Sequence, residues 1–148
     1  MELSKQKGDL YDPYRRAWVV ASPEEIVRQK LLHVMTSQLQ YPKELLSVEL
    51  QLSEIPHLKG VEGLPKRRAD IICFSKGIHP QHPLYPLLLI ECKEGEVGSQ
   101  ARSQALGYNH FVQAYFVAIA GEDCVELVFP DTLSFLPSFP QLMESICK

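Results

Sequence analysis

The sequence has no apolar run approaching the roughly 18 residues that a membrane-spanning helix needs, so no bilayer-spanning segment is expected. It has no C-x-x-C pair either. Cys73, Cys92, Cys124 and Cys147 lie far apart, which excludes a zinc knuckle or dithiol redox motif and reads as reduced thiols in a reducing compartment. A G-x-x-x-x-G-K-[ST] phosphate loop is missing, and with it P-loop nucleotide chemistry. Excess positive charge is missing too: the net charge is −3 and the pI about 5.9, so any polyanion-binding surface must be local. The polar stretch Met1 to Leu10 is unlike a secretion signal, and a cytoplasmic protein is expected. Internal repeats and low-complexity tracts are absent.

What is present fits one compact domain. The 148 residues are 45% hydrophobic, enough for a core without metals or disulfides. Residues 1–20 mix charge, Gly8 and Pro13 with Tyr11, Tyr14 and Trp18, and read as an irregular lead-in. Ser22 as N-cap, Pro23 at the first helical position and Glu25 completing a capping box predict a helix from Pro23 to about Gln40. Its apolar stripe is Val27, Leu31, Val34, Met35 and Leu39. Glu24 falls near the middle of that stripe and Glu25 at its edge; a carboxylate there either meets a cation or escapes to solvent at the helix end.

Short β-type segments follow at 47–53, 68–75, 86–93, 114–120 and 124–129, with a second helix over 99–112 and a turn at Gly121-Glu122-Asp123. The tail from Pro130 packs as a short helix or loop. The order α-β-β-β-α-β-β predicts an α/β fold with a mixed sheet of about five strands flanked by helices, with residues 21–130 as the domain and 131–148 a tail on its core. His79 and His82 lie three apart in a Pro-rich stretch without partner ligands, and read as a solvated loop.

Side chains alternate along a strand, so Asp70 is the lone acid on the side shared by Ile72 and Phe74. In the next strand a run of buried-type residues stops at Glu91, with Lys93 on the same side. If the two strands pair, Asp70, Glu91 and Lys93 converge near Glu24. Two or three carboxylates packed so closely call for a divalent cation. Mg2+, with Mn2+ able to substitute, would find oxygen ligands in Asp70, Glu91 and the backbone carbonyl of Cys92, whose thiol itself reads as core filler. The plain alternative is that these charges mark the solvated end of a strand. Lys66, Arg67 and Arg68 lead directly into the Asp70 strand as a local basic patch. Glu49, alternating with Val48 and Leu50, either approaches the site or, the plainer reading, faces solvent; Arg102 in the second helix is either a phosphate contact or, the plainer reading, an exposed charge.

Asp70 followed by Glu91-Cys92-Lys93, and then Gln104-Ala105-Leu106-Gly107-Tyr108, resembles the PD-(D/E)XK nuclease superfamily, with the Q-x-x-x-Y motif of its RecB-like and type I restriction branches. Ala69 stands where the superfamily name expects Pro. With Tyr11-Asp12-Pro13 and Ser22-Pro23-Glu24-Glu25-Ile26-Val27-Arg28-Gln29 added, the chain is similar to the N-terminal nuclease domain of type I restriction enzyme R subunits in its small stand-alone form, as found in bacteria. The resemblance implies a restriction-endonuclease-like core and Mg2+-dependent hydrolysis of DNA. It further implies a first-helix acid, Glu24, at the metal, with Gln104 and Tyr108 orienting substrate or the catalytic Lys93. DNA, and helicase or other restriction-system subunits, are the implied partners; the ATP-driven motor of the full R subunit is not in these 148 residues. A catalytically quiet nucleic-acid-binding or assembly module, and an RNA-processing or junction-resolving nuclease acting as a homodimer, are the other readings of the same residues.

Overall fold

A computed structural model of the chain describes residues 10–95 and 97–147. Its centre is a five-stranded mixed sheet in the order β3-β4-β5-β6-β7, built from β3 (Leu46–Gln51), β4 (Arg68–Lys76), β5 (Leu84–Cys92), β6 (Phe116–Ala120) and β7 (Val125–Phe129). Neighbours run antiparallel except β5 and β6, which are parallel. A parallel pair needs a crossover, and α2 (Ser99–Val112) supplies it. The expected α/β core with its mixed five-stranded sheet is therefore what the chain forms. No helix among the described residues is long and apolar enough to cross a membrane.

The sheet is buried on both faces. Ile71, Cys73, Leu88, Ile90 and Cys92 pack with α1 (Pro23–Ser37) and with Leu136 and Leu142 of the C-terminal segment. Ile72, Phe74 and Leu89 pack on the other side with Tyr108 and Val112 of α2 and with Leu52, Ile55 and Leu58. The C-terminal segment ends in α3 (Phe139–Ile146), whose N-cap Ser138 and Gln141 form a reciprocal capping box. It is fastened to the loop after α1, where the buried Tyr41 hydroxyl donates to Pro137 O at 2.7 Å.

Several local expectations are corrected. Residues 1–9 of the expected irregular lead-in lie outside the described residues, and 10–19 form an antiparallel pair, β1 (Leu10–Asp12) with β2 (Ala17–Val19). The Ser22 capping box is only half made. Glu25 N–H donates to Ser22 Oγ, but Ser22 N–H turns to Val20 O, and the Glu25 carboxylate goes elsewhere. Helix α1 stops at Ser37, not Gln40, because Gln40 takes a left-handed φ of 63° and Tyr41 N–H bonds back to Met35 O at 3.0 Å. Strand β6 starts at Phe116, not Ala114, because the Asn109 amide pairs with both the N–H and the carbonyl of Ala114. His79 and His82 are not free in solvent: His79 stacks on Tyr85 at 4.5 Å and lies 4.7 Å from His82, and His57 adds a third imidazole 4.7 Å from Tyr85.

Candidate active site

The β4–β5 register pairs Ile71 with Ile90, which sets Asp70 opposite Glu91 at the end of the ladder. Each carboxylate is held by the other strand's backbone. Cys92 N–H donates to Asp70 Oδ2 at 2.8 Å, and Asp70 N–H reaches Glu91 Oε2 at 3.4 Å. Arg28 of α1 donates from Nη1 to Asp70 Oδ1 at 2.9 Å, and the Arg67 guanidinium lies 3.5 Å from Glu91 Oε1.

A buried acid beside a partly buried one favours the protonated form. Burial, followed by the charge of Asp70, pushes Glu91 up to about 8; burial also raises Asp70, with Glu49 and Glu24 adding repulsion against the pull of Arg28. Glu25 behaves oppositely. Burial opposes its charge, but donors on Arg28, Arg15 and Gln29 outweigh that and hold it at about 2. Arg28 forks onto Glu25 at 2.6 and 3.2 Å, and Arg15 joins Glu25 to the fully buried Asp12 of β1.

Lys93 follows the last residue of β5. Its N–H bonds Ala120 O, and its Nζ donates to Gln104 Oε1 of α2 at 3.0 Å, with no ion-pair contact to Asp70 or Glu91 although its charge is felt by Glu91. Tyr108, one turn beyond Gln104, is buried with Arg67 4.3 Å over its ring; its hydroxyl has no hydrogen-bond partner among the described residues. Lys66, Arg67 and Arg68 line a groove of about 750 Å3 that opens beside Glu49. Cys92 places its thiol among the core residues that face α1, where burial raises its pKa far from thiolate chemistry.

Of the sequence-predicted residues, Asp70, Glu91 and the Cys92 backbone come together, Lys93 joins Gln104 beside them, and Tyr108 and Arg67 cover Glu91. Glu24 is exposed, without a hydrogen bond or ion pair among the described residues. Glu49 is not merely solvent-facing: its Oε2 accepts from Arg28 Nη1 at 2.8 Å. Arg102 is bound to Glu126 at 2.6 Å on the other side of α2. Arg28 is the residue that sequence reasoning missed, while Glu25 was read mainly as a cap and Glu49 mainly as solvent-facing. The visible signal was a Glu and an Arg three apart beside an apolar stripe, the spacing at which helix side chains meet.

A mixed sheet with an acid pair at the ends of two neighbouring strands, a lysine just past the second, and helices on both faces defines a restriction-endonuclease-like α/β domain. The family described as type I restriction enzyme R protein N terminus (HSDR_N) matches residues 23–140, and the chain belongs to that family. No curated protein and no solved structure matches it.

The acids offer hard oxygen donors, the kind that small divalent cations take. From Asp12 to Glu91, five carboxylates meet the three guanidinium groups of Arg15, Arg28 and Arg67, an anionic excess that a proton on Glu91 relieves only in part. Hard oxygen donors in anionic excess match Mg2+ or Mn2+. Among the described residues no three acid, His or Cys side chains converge to hold a metal ion, and Arg28 Nη1 stands between Glu49 and Asp70.

Proposed function

We propose that this domain is a Mg2+-dependent nuclease acting on DNA phosphodiester bonds, with Mn2+ able to substitute. The observation that carries the reading is the locked pair of Asp70 and Glu91 beside the Lys93–Gln104 hydrogen bond. Asp70, Glu91 and the Cys92 carbonyl hold the cation, which when bound polarises the scissile phosphate and lowers the pKa of a water. Lys93, fixed by Gln104 through one N–H, directs its other donors to the attacking water or a phosphate oxygen. Arg67 and Arg68 draw the phosphate backbone along the groove, with Lys66 beside them. Buried walls around Glu91 and Tyr108 shield Glu91, while Asp70 stays partly open to solvent.

Family membership supports DNA, and subunits of a restriction system, as partners; a bacterial, cytoplasmic setting and a homodimer that cuts both strands belong to the same proposal. A second reading, a quiet binding or assembly module, draws on Arg28 and Arg67, which neutralise the acids without a metal. Linear, nicked, branched and single-stranded DNA, with RNA alongside, tested in Mg2+ and Mn2+ at low salt, separates the readings. Wild type is expected to cut at least one DNA, and Asp70→Ala, Glu91→Ala and Lys93→Ala to lose cleavage while keeping their circular dichroism. Binding without cutting throughout supports the quiet module; cleavage of RNA or junctions alone selects the processing reading; equal cleavage by the variants overturns the site.

A further inference from the structure

We infer that Glu49 of β3 is a further acidic ligand of the cation site, taking the place that the sequence pattern assigns to Glu24; this rests on reading Asp70 and Glu91 as a divalent-cation site. The β3–β4 register pairs Val48 with Ile71 and Leu50 with Ala69, so Glu49 lies level with Asp70. At that residue the strand is irregular, with Glu49 at a φ of 56°, and its carboxylate reaches the arginine that holds Asp70. A single nitrogen, Arg28 Nη1, donates to Glu49 Oε2 at 2.8 Å and Asp70 Oδ1 at 2.9 Å. The two oxygens therefore lie no farther apart than those two contacts combined, with a cationic group already between them.

Arg28 Nη1 is the contact that a metal ion joining Glu49 and Asp70 would replace. The Nε and Nη2 of Arg28 stay forked on Glu25, which Arg15 also holds, so only Nη1 addresses the acid pair. The chemistry at that point is that of a cation joining two carboxylates.

An independent feature points to a ligand at the same place. The Tyr108 side chain is 4% exposed, and its hydroxyl has no protein partner among the described residues. Arg67 lies over the Tyr108 ring and also reaches Glu91 at 3.5 Å, which puts Tyr108 beside the acid pair and within electrostatic reach of Glu91, Asp70 and Glu49. A buried hydroxyl is ordinarily hydrogen-bonded, and an oxygen of a hydrated cation or of a phosphate would satisfy it. Glu49 also lines the basic groove of Lys66, Arg67 and Arg68, which places the ligand where a phosphate backbone entering that groove would meet it. Glu24 is felt by Asp70 but lines no part of that groove and makes no hydrogen bond or ion pair among the described residues.

The test is direct Mn2+ binding, read from the electron paramagnetic resonance signal of the free ion, on wild type, Glu24→Gln, Glu49→Gln and Glu91→Gln. Glu49→Gln is expected to weaken binding about tenfold or more, and Glu24→Gln by less than about twofold. Loss of binding in Glu91→Gln with wild-type affinity in Glu49→Gln overturns the role of Glu49 alone. Undiminished binding in Glu91→Gln overturns the underlying site. Should Glu49→Gln fail to fold, side-chain carboxyl 13C shifts of the wild type during a Mg2+ titration decide instead. Glu49 and Asp70 shifting together supports the inference, and Glu24 shifting in place of Glu49 overturns it.

Discussion

Glu91→Gln should stabilise the metal-free protein at alkaline pH, an unusual direction for a substitution in a candidate active site. The folded-state carboxyl is raised from 4.5 to about 8, first by burial and then by Asp70. Between those values the folded chain keeps a proton that the unfolded chain releases, so stability falls as pH rises from about 4.5 and levels off above about 8. At roughly 1.4 kcal/mol per pKa unit, with part of the repulsion belonging to Asp70, the loss is on the order of 3–5 kcal/mol. Glutamine cannot ionise, and its side-chain oxygen can still accept from Asp70 N–H. Urea unfolding in the presence of a chelator, followed from acid to alkaline pH, should give curves for wild type and variant that nearly coincide near pH 4.5 and separate by about 3 kcal/mol or more above pH 8, the variant being the more stable. Millimolar Mg2+ should restore much of the alkaline stability of wild type and little of the variant's. Parallel pH profiles for the two proteins would refute the reasoning.

Two further substitutions test the surroundings of the pair. A Cβ at residue 121 would sit 2.6 Å from Gly95 O and 2.9 Å from a Val97 methyl, so Gly121→Ala should destabilise by about 1–3 kcal/mol in thermal unfolding and displace the loop that follows Lys93. Arg67→Ala should weaken DNA binding at low salt and reduce the salt slope of the binding constant by about one, as measured by fluorescence anisotropy.

The sheet was legible because its strands are apolar runs punctuated by turns, and the acid pair because Asp70 and Glu91 interrupt such runs. The helical ring around the acids was harder to read. The apolar stripe chosen for α1 left out Leu32, which is almost fully buried, and included Val34, which is only half-buried. Rotating the stripe to take in Leu32 brings Glu25 and Arg28 onto the buried face and turns Glu24 outward. In the first turn of a helix, neighbouring positions differ by about 100° of rotation, so a one-residue change decides which glutamate faces the site. Glu49 was read mainly as solvent-facing for a different reason: alternation assumes regular strand dihedrals, and a left-handed residue inside a strand breaks the rule without a glycine to announce it. The β1–β2 pair is three residues per strand, too short for a period to show.

The most direct test of the account is a crystal of the protein soaked in Mn2+, with the ion located by its anomalous scattering. A single strong peak about 2 Å from Asp70 and Glu91 carboxylate oxygens is expected. Crystals saturated with Mn2+ in which the ion sits elsewhere, while Asp70 still touches only Arg28 and the Cys92 amide, would contradict it.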